Sequence, residues 1–236
     1  MNQVKCFTCL ACNQIFNGAF IKLKAPFFFE MKLALNTLLS VLFFTVVLGN
    51  LLSEDLRNLN VGSDIYNIDD RGYVNFKCLD NTVINSWKKF TKCKINQDNF
   101  YIVNFEYDER FALNENFEGT QVAGHPALIN LAIDKKGILH EININTDPKA
   151  PFYFRKQSHL LWLRVYNKYG SNGWTCNEKE QLQNHIKIGK KYINRSCLKE
   201  IGNKLITIDS HFYFVDKKSS RENLVSKSYL QIKLKQ

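Results

Sequence analysis

The chain has 236 residues, of which 45% are hydrophobic and 23% are charged. This composition excludes a disordered or low-complexity protein and is that of a globular chain with one sizeable core. The formal net charge is +10, which favours anionic partners such as nucleic acid, acidic glycans or lipid head groups, although an ordinary solvated basic surface is the alternative interpretation.

An uncharged apolar segment at residues 33–49 is the clearest sorting signal in the sequence. It follows Met31 and Lys32 and ends at the small residue Gly49, which is typical of a secretory signal peptide. Val47 and Gly49 suit the small-residue positions before a cleavage site. The alternative is an uncleaved inner-membrane anchor, because a membrane span takes about 20 apolar residues. Contact with a membrane is expected only in that second case, and export to the periplasm or the medium is expected in the first.

Residues 1–30 precede this signal and contain the spacing C-x-x-C-x-x-C, formed by Cys6, Cys9 and Cys12. Such a run resembles part of an iron–sulfur or zinc ligand set, but no fourth ligand follows at a standard spacing. A thiolate site upstream of an export signal would also lie in the wrong compartment. We therefore interpret residues 1–30 as an over-extended N-terminus, with residues 31–49 as the signal, and expect neither a metal nor another cofactor.

Residues 50–236 are predicted to form a single exported domain that carries disulfide bonds. Without residues 1–49 the chain keeps 28 basic and 21 acidic residues, a formal charge of +7, and four of its seven cysteines, Cys78, Cys93, Cys176 and Cys197. An even number of cysteines in an exported chain indicates disulfides. Three pairings are possible; we favour Cys78 with Cys93 and Cys176 with Cys197, each closing a loop worth about 3 kcal/mol.

Apolar residues at every second position predict the strands of the mature chain, beginning with residues 74–78 and 100–107. The strongest signal is a β-hairpin, with residues 129–133 and 138–144 on either side of a turn at residues 134–137. Gly137 suits a turn position with positive φ, and Ile133 is expected to face Ile138. Further strands are predicted at residues 191–198, 204–215 and 229–234.

A helix is predicted after the hairpin, with Asp147 as its N-cap and Pro148 in its first turn. Over residues 152–169 an apolar stripe recurs at three- and four-residue spacing, made of Phe154, Leu161, Trp162, Val165 and Tyr169. The order of elements predicts an α+β fold, in which an antiparallel sheet has one long amphipathic helix packed on it.

The candidate catalytic residues are His125, Glu118 and Asp108, which would give an envelope hydrolase a carboxylate–histidine site. A structural histidine that bonds a nearby carbonyl is the alternative for His125. The carboxylates have no diagnostic spacing, and no nucleophile-elbow, zinc-protease or phosphate-loop motif is present. His140 is expected on the face of Ile138, about 20 Å along the strands from His125, which is too far for a shared metal ion.

Four basic residues of the predicted helix, Arg155, Lys156, Arg164 and Lys168, fall away from its apolar stripe and are candidates for an anion-binding face. Further cations follow in the chain at Lys187, Lys190, Lys191, Arg195, Lys199 and Lys204. In an exported protein we expect such a face to meet an acidic envelope polymer or lipid, and we expect no nucleic acid. Solvated surface is the alternative interpretation.

Several short strings in residues 105–214 resemble a group of small exported proteobacterial proteins of unassigned function. They are Gly119-Thr120, Val122-Ala123-Gly124-His125-Pro126, Thr146-Asp147-Pro148, Tyr169-Gly170, Gly173-Trp174-Thr175-Cys176 and Cys197-Leu198-Lys199. The resemblance implies export and a single disulfide-bearing domain, and it implies no catalytic residue.

Taken together, the sequence predicts an exported, disulfide-stabilised binding or structural protein of the bacterial envelope. Two alternatives stay open at this stage. One is the envelope hydrolase with a carboxylate–histidine site, and the other is a basic protein that binds an anionic polymer.

Overall fold

Ten strands joined in one antiparallel sheet make up most of the structure. A computed structural model of the protein describes residues 54–108, 119–216 and 221–235. The predicted signal segment at 31–49, the stretch 1–30 and the candidate residue Glu118 lie outside the described residues. From Glu54 onward the chain forms one compact unit.

The strands are, in chain order, β1 (Tyr73–Cys78), β2 (Tyr101–Tyr107), β3 (Gln121–Val122), β4 (His125–Ile133), β5 (Leu139–Thr146), β6 (Thr175–Glu178), β7 (His185–Ile186), β8 (Ile193–Ile201), β9 (Lys204–Val215) and β10 (Leu224–Leu234). Two α-helices, α1 (Phe152–Arg155) and α2 (Leu161–Tyr169), lie between β5 and β6. Short 3-10 turns occupy Ile65–Asn67, Trp87–Lys92, Ser158–Leu160 and Arg221–Asn223.

The sheet consists of two antiparallel halves that the last strand joins. The main strand order is β1-β2-β4-β5-β10-β9-β8-β6, with β3 paired to β4 and β7 paired to β9. The helical segment carries the chain from the middle of the sheet to its far edge, and β8, β9 and β10 then return strand by strand. Strand β10 therefore completes the sheet by pairing with β5, and Leu230 lies opposite Ile144 at this seam.

One face of the sheet carries the core. Its fully buried aliphatic side chains come from five neighbouring strands and include Val103, Leu131, Ile142, Ile206 and Ile232. The N-terminal turns, the 3-10 turn at Trp87–Lys92 and helix α2 supply the apolar groups that cover this face. The architecture is α+β in the broad sense and is dominated by antiparallel sheet, as the alternating pattern predicts.

The predicted hairpin is present, with a difference in register. Residues 134–137 form the turn, and Gly137 adopts φ +90° with a ring atom of Tyr66 only 2.9 Å from where a Cβ would stand. Ile133 pairs with Leu139 rather than Ile138, because the register shifts between Ala132 and Ile133. The shift makes His140 the extra residue of a β-bulge, and Leu139 takes the core position that the sequence assigns to Ile138.

The predicted helix is also different in detail. Residues 152–169 are helical, but Gln157 has φ −109° and ψ 6° and divides the segment into α1, a 3-10 turn and α2. The prediction that Asp147 caps this helix is wrong: its carboxylate accepts from Lys149 N (2.8 Å) in a turn before the helix, and Pro151 occupies the cap position. No helix within the described ranges is long and apolar enough to cross a membrane.

Buried polar groups of β10 hold the helical segment against the sheet where the helix is broken. Ser228 Oγ donates to Ser158 O (2.9 Å), and Ser226 Oγ donates to Lys156 O (2.9 Å). His159 is 7% exposed and stacks on Phe212 with ring centroids 3.9 Å apart. Two carbonyl groups at the break thus accept hydrogen bonds from side-chain donors on β10.

The four described cysteines are paired as neighbours in the chain. Cys78 is bonded to Cys93 and Cys176 to Cys197, which is the pairing that the sequence favours. The first bond attaches the Trp87–Lys92 turn to β1, and the second joins residues that lie directly opposite each other on β6 and β8. Bonds of this kind form and persist in an oxidising compartment.

Burial of His159 predicts that the fold weakens in mild acid. Burial and the nearby charges of Lys191 and His125 lower the pKa of His159 to about 4. Between pH 6.5 and 4 the unfolded chain therefore takes up a proton that the folded chain does not, so the free energy of unfolding falls by up to about 3 kcal/mol over this range.

We expect His159→Phe, which keeps the ring stack on Phe212, to reduce this dependence on pH. Urea unfolding of both proteins at pH 7.5, 6, 5 and 4.5 measures the effect. Parallel stability curves for the variant and the wild type would show that protonation of His159 does not limit the acid stability.

Candidate functional site

A small cavity lies at the seam between the two halves of the sheet. Its volume is about 180 Å³. Ile144 of β5 and Leu230 of β10, which face each other across the seam, are among its lining residues. Leu161 and Val165 of helix α2 and Val122 of β3 supply further apolar lining. The cavity therefore has an apolar interior built from four separate elements.

The same cavity is bordered by three exposed cations, Arg57, Arg164 and Lys168. Arg164 and Lys168 lie one turn apart on α2, on the side next to Leu161 and Val165, so the helix presents its apolar stripe and two cations to one cavity. Three positive groups beside an apolar interior are suited to a ligand that has an anionic head and an apolar part.

Lys168 is held in place by backbone carbonyls. Its Nζ donates to Asp55 O (2.7 Å) and to Glu54 O. Burial lowers the pKa of Lys168, and the nearby charge of Asp55 opposes that shift. An ammonium group that is fixed in position and partly desolvated attracts an anion more strongly than a freely moving surface lysine does.

Asp55, an acidic residue that also lines the cavity, has its charge compensated. The carboxylate accepts from Lys204 Nζ (2.7 Å) and Val61 N (2.8 Å), and Tyr169 OH donates to it at 3.4 Å. Its side chain is 2% exposed. Lys204 therefore compensates much of the charge of Asp55, although the carboxylates of Asp55 and Glu54 still act on Lys168.

Arg57 reaches the cavity from an unusual backbone conformation. It is the first central residue of the tight turn that Leu56 and Leu59 close with two backbone hydrogen bonds of 3.1 and 2.9 Å. Its φ is +51°, and glycine is preferred at such a turn position. The guanidinium lies 3.4 Å from the ring centroid of Tyr107 and 5.9 Å from that of Tyr73, so stacking offsets part of the backbone cost.

The four cations predicted to form one anion-binding face are separated by the break in the helix. Arg164 and Lys168 border the cavity, whereas Arg155 Nε donates to Ala150 O (3.1 Å) and Lys156 Nζ lies 4.3 Å from the ring centroid of Tyr153. Among the described residues, Arg164 and Lys168 therefore line the cavity, and Arg155 and Lys156 are not among its lining residues.

The later cations of the chain differ in their surroundings. Lys204 binds Asp55, Lys199 Nζ donates to Gly170 O (3.3 Å) at the end of α2, and Arg195 lies 4.4 Å from the ring centroid of Trp162. These three have structural contacts. Lys187, Lys190 and Lys191 are exposed in the connection between β7 and β8.

The candidate catalytic residues do not form a site among the described residues. His125 is the first residue of β4. Its pKa is lowered mainly by burial and further by the nearby positive charge of Arg164. Asp108 directly follows the last residue of β2, Tyr107. It is 6% exposed. Glu118 lies outside the described residues, so the hydrolase hypothesis stays a prediction.

A buried serine–histidine pair, which the sequence does not reveal, is structural rather than nucleophilic. His159 Nδ1 lies 3.0 Å from Ser226 Oγ. Because the Ser226 hydroxyl donates its proton to Lys156 O, the imidazole must donate to the hydroxyl and is not poised to take its proton. The pair joins the helical segment to β10.

The described residues contain no group of three or more metal-ligating side chains. His140 Nε2 lies 3.2 Å from Asp134 Oδ2, and its ring packs 5.0 Å from that of Phe100. This pair supports the hairpin turn. The carboxylate of Asp134 also accepts hydrogen bonds from Lys136 N and Ile138 N in the same turn.

Comparison with known proteins gives no match: no family model, curated protein or solved structure is significantly similar to this chain. The resemblance to small exported proteobacterial proteins accordingly stays a prediction.

Sequence reasoning identified Arg164 and Lys168 but missed Arg57 and the cavity. The sequence pattern assigned both cations to a face away from the apolar stripe, whereas the structure puts them in one cavity lining with Leu161 and Val165. Nothing in the sequence near Arg57 indicates that its turn meets α2, because that contact depends on how the chain before β1 crosses the sheet.

Replacing Arg57 by glycine should leave the protein at least as stable as the wild type. Relief of the positive φ is worth about 1 kcal/mol, and the lost stacking on an exposed cation costs about 0.5–1 kcal/mol. Arg57→Ala is the matched control, since it removes the guanidinium but keeps the backbone cost. We expect chemical denaturation to place the glycine variant about 1 kcal/mol above the alanine variant, and a loss of more than about 2 kcal/mol in both would instead make Arg57 a structural residue.

Proposed function

We propose that the protein is an exported, disulfide-stabilised binding protein of the bacterial envelope that takes an anionic ligand at Arg57, Arg164 and Lys168. The observation that carries the proposal is the cavity of about 180 Å³ that combines these three cations with an apolar interior. Binding sites of proteins commonly have this form, in which an apolar concavity holds a few well-placed polar groups.

Two further observations support the location. The apolar segment at residues 33–49 has the pattern of a secretory signal, and both described disulfides are of the kind that oxidising compartments maintain. An exported protein with disulfide bonds reaches the periplasm or the medium, where acidic polymers, lipids and small carboxylates are the available anions.

The charge of the cavity border favours binding over acid–base chemistry. A carboxylate–histidine site needs the histidine to be close to a carboxylate, whereas the charged neighbour that shifts His125 is Arg164. The three cations can bind an anion without the help of a catalytic side chain. A binding role therefore explains why they line the same cavity.

The proposal is tested with simple anions and paired charge removals. Acetate, sulfate and phosphate are titrated into the protein while NMR follows the side-chain N–H signals of Arg57 and Arg164. We expect saturable shifts with dissociation constants in the millimolar range, as for a single ionic head group, and several-fold weaker binding when the salt rises from about 50 to about 500 mM.

The double variant Arg164→Gln/Lys168→Gln should lose these shifts at Arg57. Lys135→Gln/Lys136→Gln is the matched control, because it removes the same charge from exposed residues of the hairpin turn. Equal weakening in both variants would show that only the overall charge attracts anions, and the proposed site would then be rejected.

A further inference from the structure

The shape of the cavity restricts the ligand beyond its charge. The apolar lining residues Ile144, Leu161, Val165 and Leu230 are all 5% exposed or less, so they form the inner part of the cavity. The three cations are exposed and form its border. A ligand that satisfies both must carry its charge at one end and an apolar group at the other.

The volume sets the size of the apolar group. A water molecule takes about 30 Å³ and a methylene group is of similar size, so the cavity of 180 Å³ accommodates a tail of about six carbons. Drug-sized ligands occupy pockets of about 300–1,000 Å³. The cavity is too small for a pair of long acyl chains and suits one short chain.

The cations discriminate among head groups. Arg57 and Arg164 carry planar guanidinium groups, which match the two oxygens of a carboxylate. Lys168 adds a third positive charge, held by the carbonyls of Glu54 and Asp55. A neutral alcohol or amide of the same length would bring no negative charge to these cations.

From these features we propose that the cavity binds a free monocarboxylate with a single short apolar tail of about six carbons. This inference rests on the proposed function and deepens it by naming the ligand class. The carboxylate lies among Arg57, Arg164 and Lys168, and the tail enters between helix α2 and the paired residues Ile144 and Leu230.

Calorimetric titration with a series of straight-chain carboxylates tests the proposal on the wild-type protein. Each buried methylene contributes about 0.8 kcal/mol, which is about a fourfold gain in affinity. We expect affinity to rise steeply from acetate to hexanoate or octanoate and then to level off or fall at decanoate and dodecanoate. The alcohols of the same length should bind at least tenfold more weakly.

A variant that reduces the cavity gives an independent readout. Val165→Phe adds volume beside the tail and should move the optimum of the affinity series to shorter carboxylates. Leu128→Phe is the matched control, because Leu128 is 49% exposed and belongs to the opposite face of the sheet; it should not change the chain-length series. If Val165→Phe fails to fold, Val165→Leu provides the same test with a smaller change.

The outcomes separate this inference from the proposed function. Acetate binding at the arginines with no gain from a longer tail would overturn the carboxylate-tail proposal and leave the anion site intact. An absence of acetate and sulfate binding would overturn both. Binding of hexanol equal to that of hexanoate, or binding only to vesicles of phosphatidylglycerol and not to free carboxylates, would also contradict the inference.

Discussion

The pairing of β10 with β5 is the interaction on which the rest of the structure depends. Five residues of β10, from Tyr229 to Lys233, pair with β5. This pairing joins the half of the sheet that ends at β5 to the half that contains β9, β8 and β6. The same strand supplies Ser226 and Ser228, which bind the helical segment through its carbonyls. One strand therefore closes the sheet and positions the helix that covers it.

The proposed site is a consequence of this closure. Its apolar interior consists of Ile144 and Leu230, the pair that meets across the seam, under the buried side of α2. Cations gather at the border because an amphipathic helix places charged residues beside its apolar stripe. The turn at Arg57 adds a third cation. Its positive φ costs free energy, and strained backbone conformations of this kind are common at functional sites.

Patterns that depend on local spacing were predictable from the sequence, and those that depend on distant contacts were not. Strand β9 and the turn at Gly137 follow from alternation and turn chemistry. The bulge at His140 reverses the alternation within one strand, and no local signal marks it. The break at Gln157 reflects serine donors on β10, far along the chain. Arg57 and Arg164 line one cavity only through the tertiary fold, so the sequence offered Arg164 and Lys168 as candidates but not Arg57.

The most direct test is an isotope-filtered NMR experiment on the methyl-labelled protein saturated with hexanoate. We expect nuclear Overhauser contacts from the hexanoate methyl group to the methyl groups of Ile144, Val165 and Leu230, while the group next to the carboxylate lies near Arg57 and Arg164. Contacts confined to the polar face of the sheet, or no contacts at the seam while hexanoate is bound, would contradict the claim that the closure of the sheet builds the binding site.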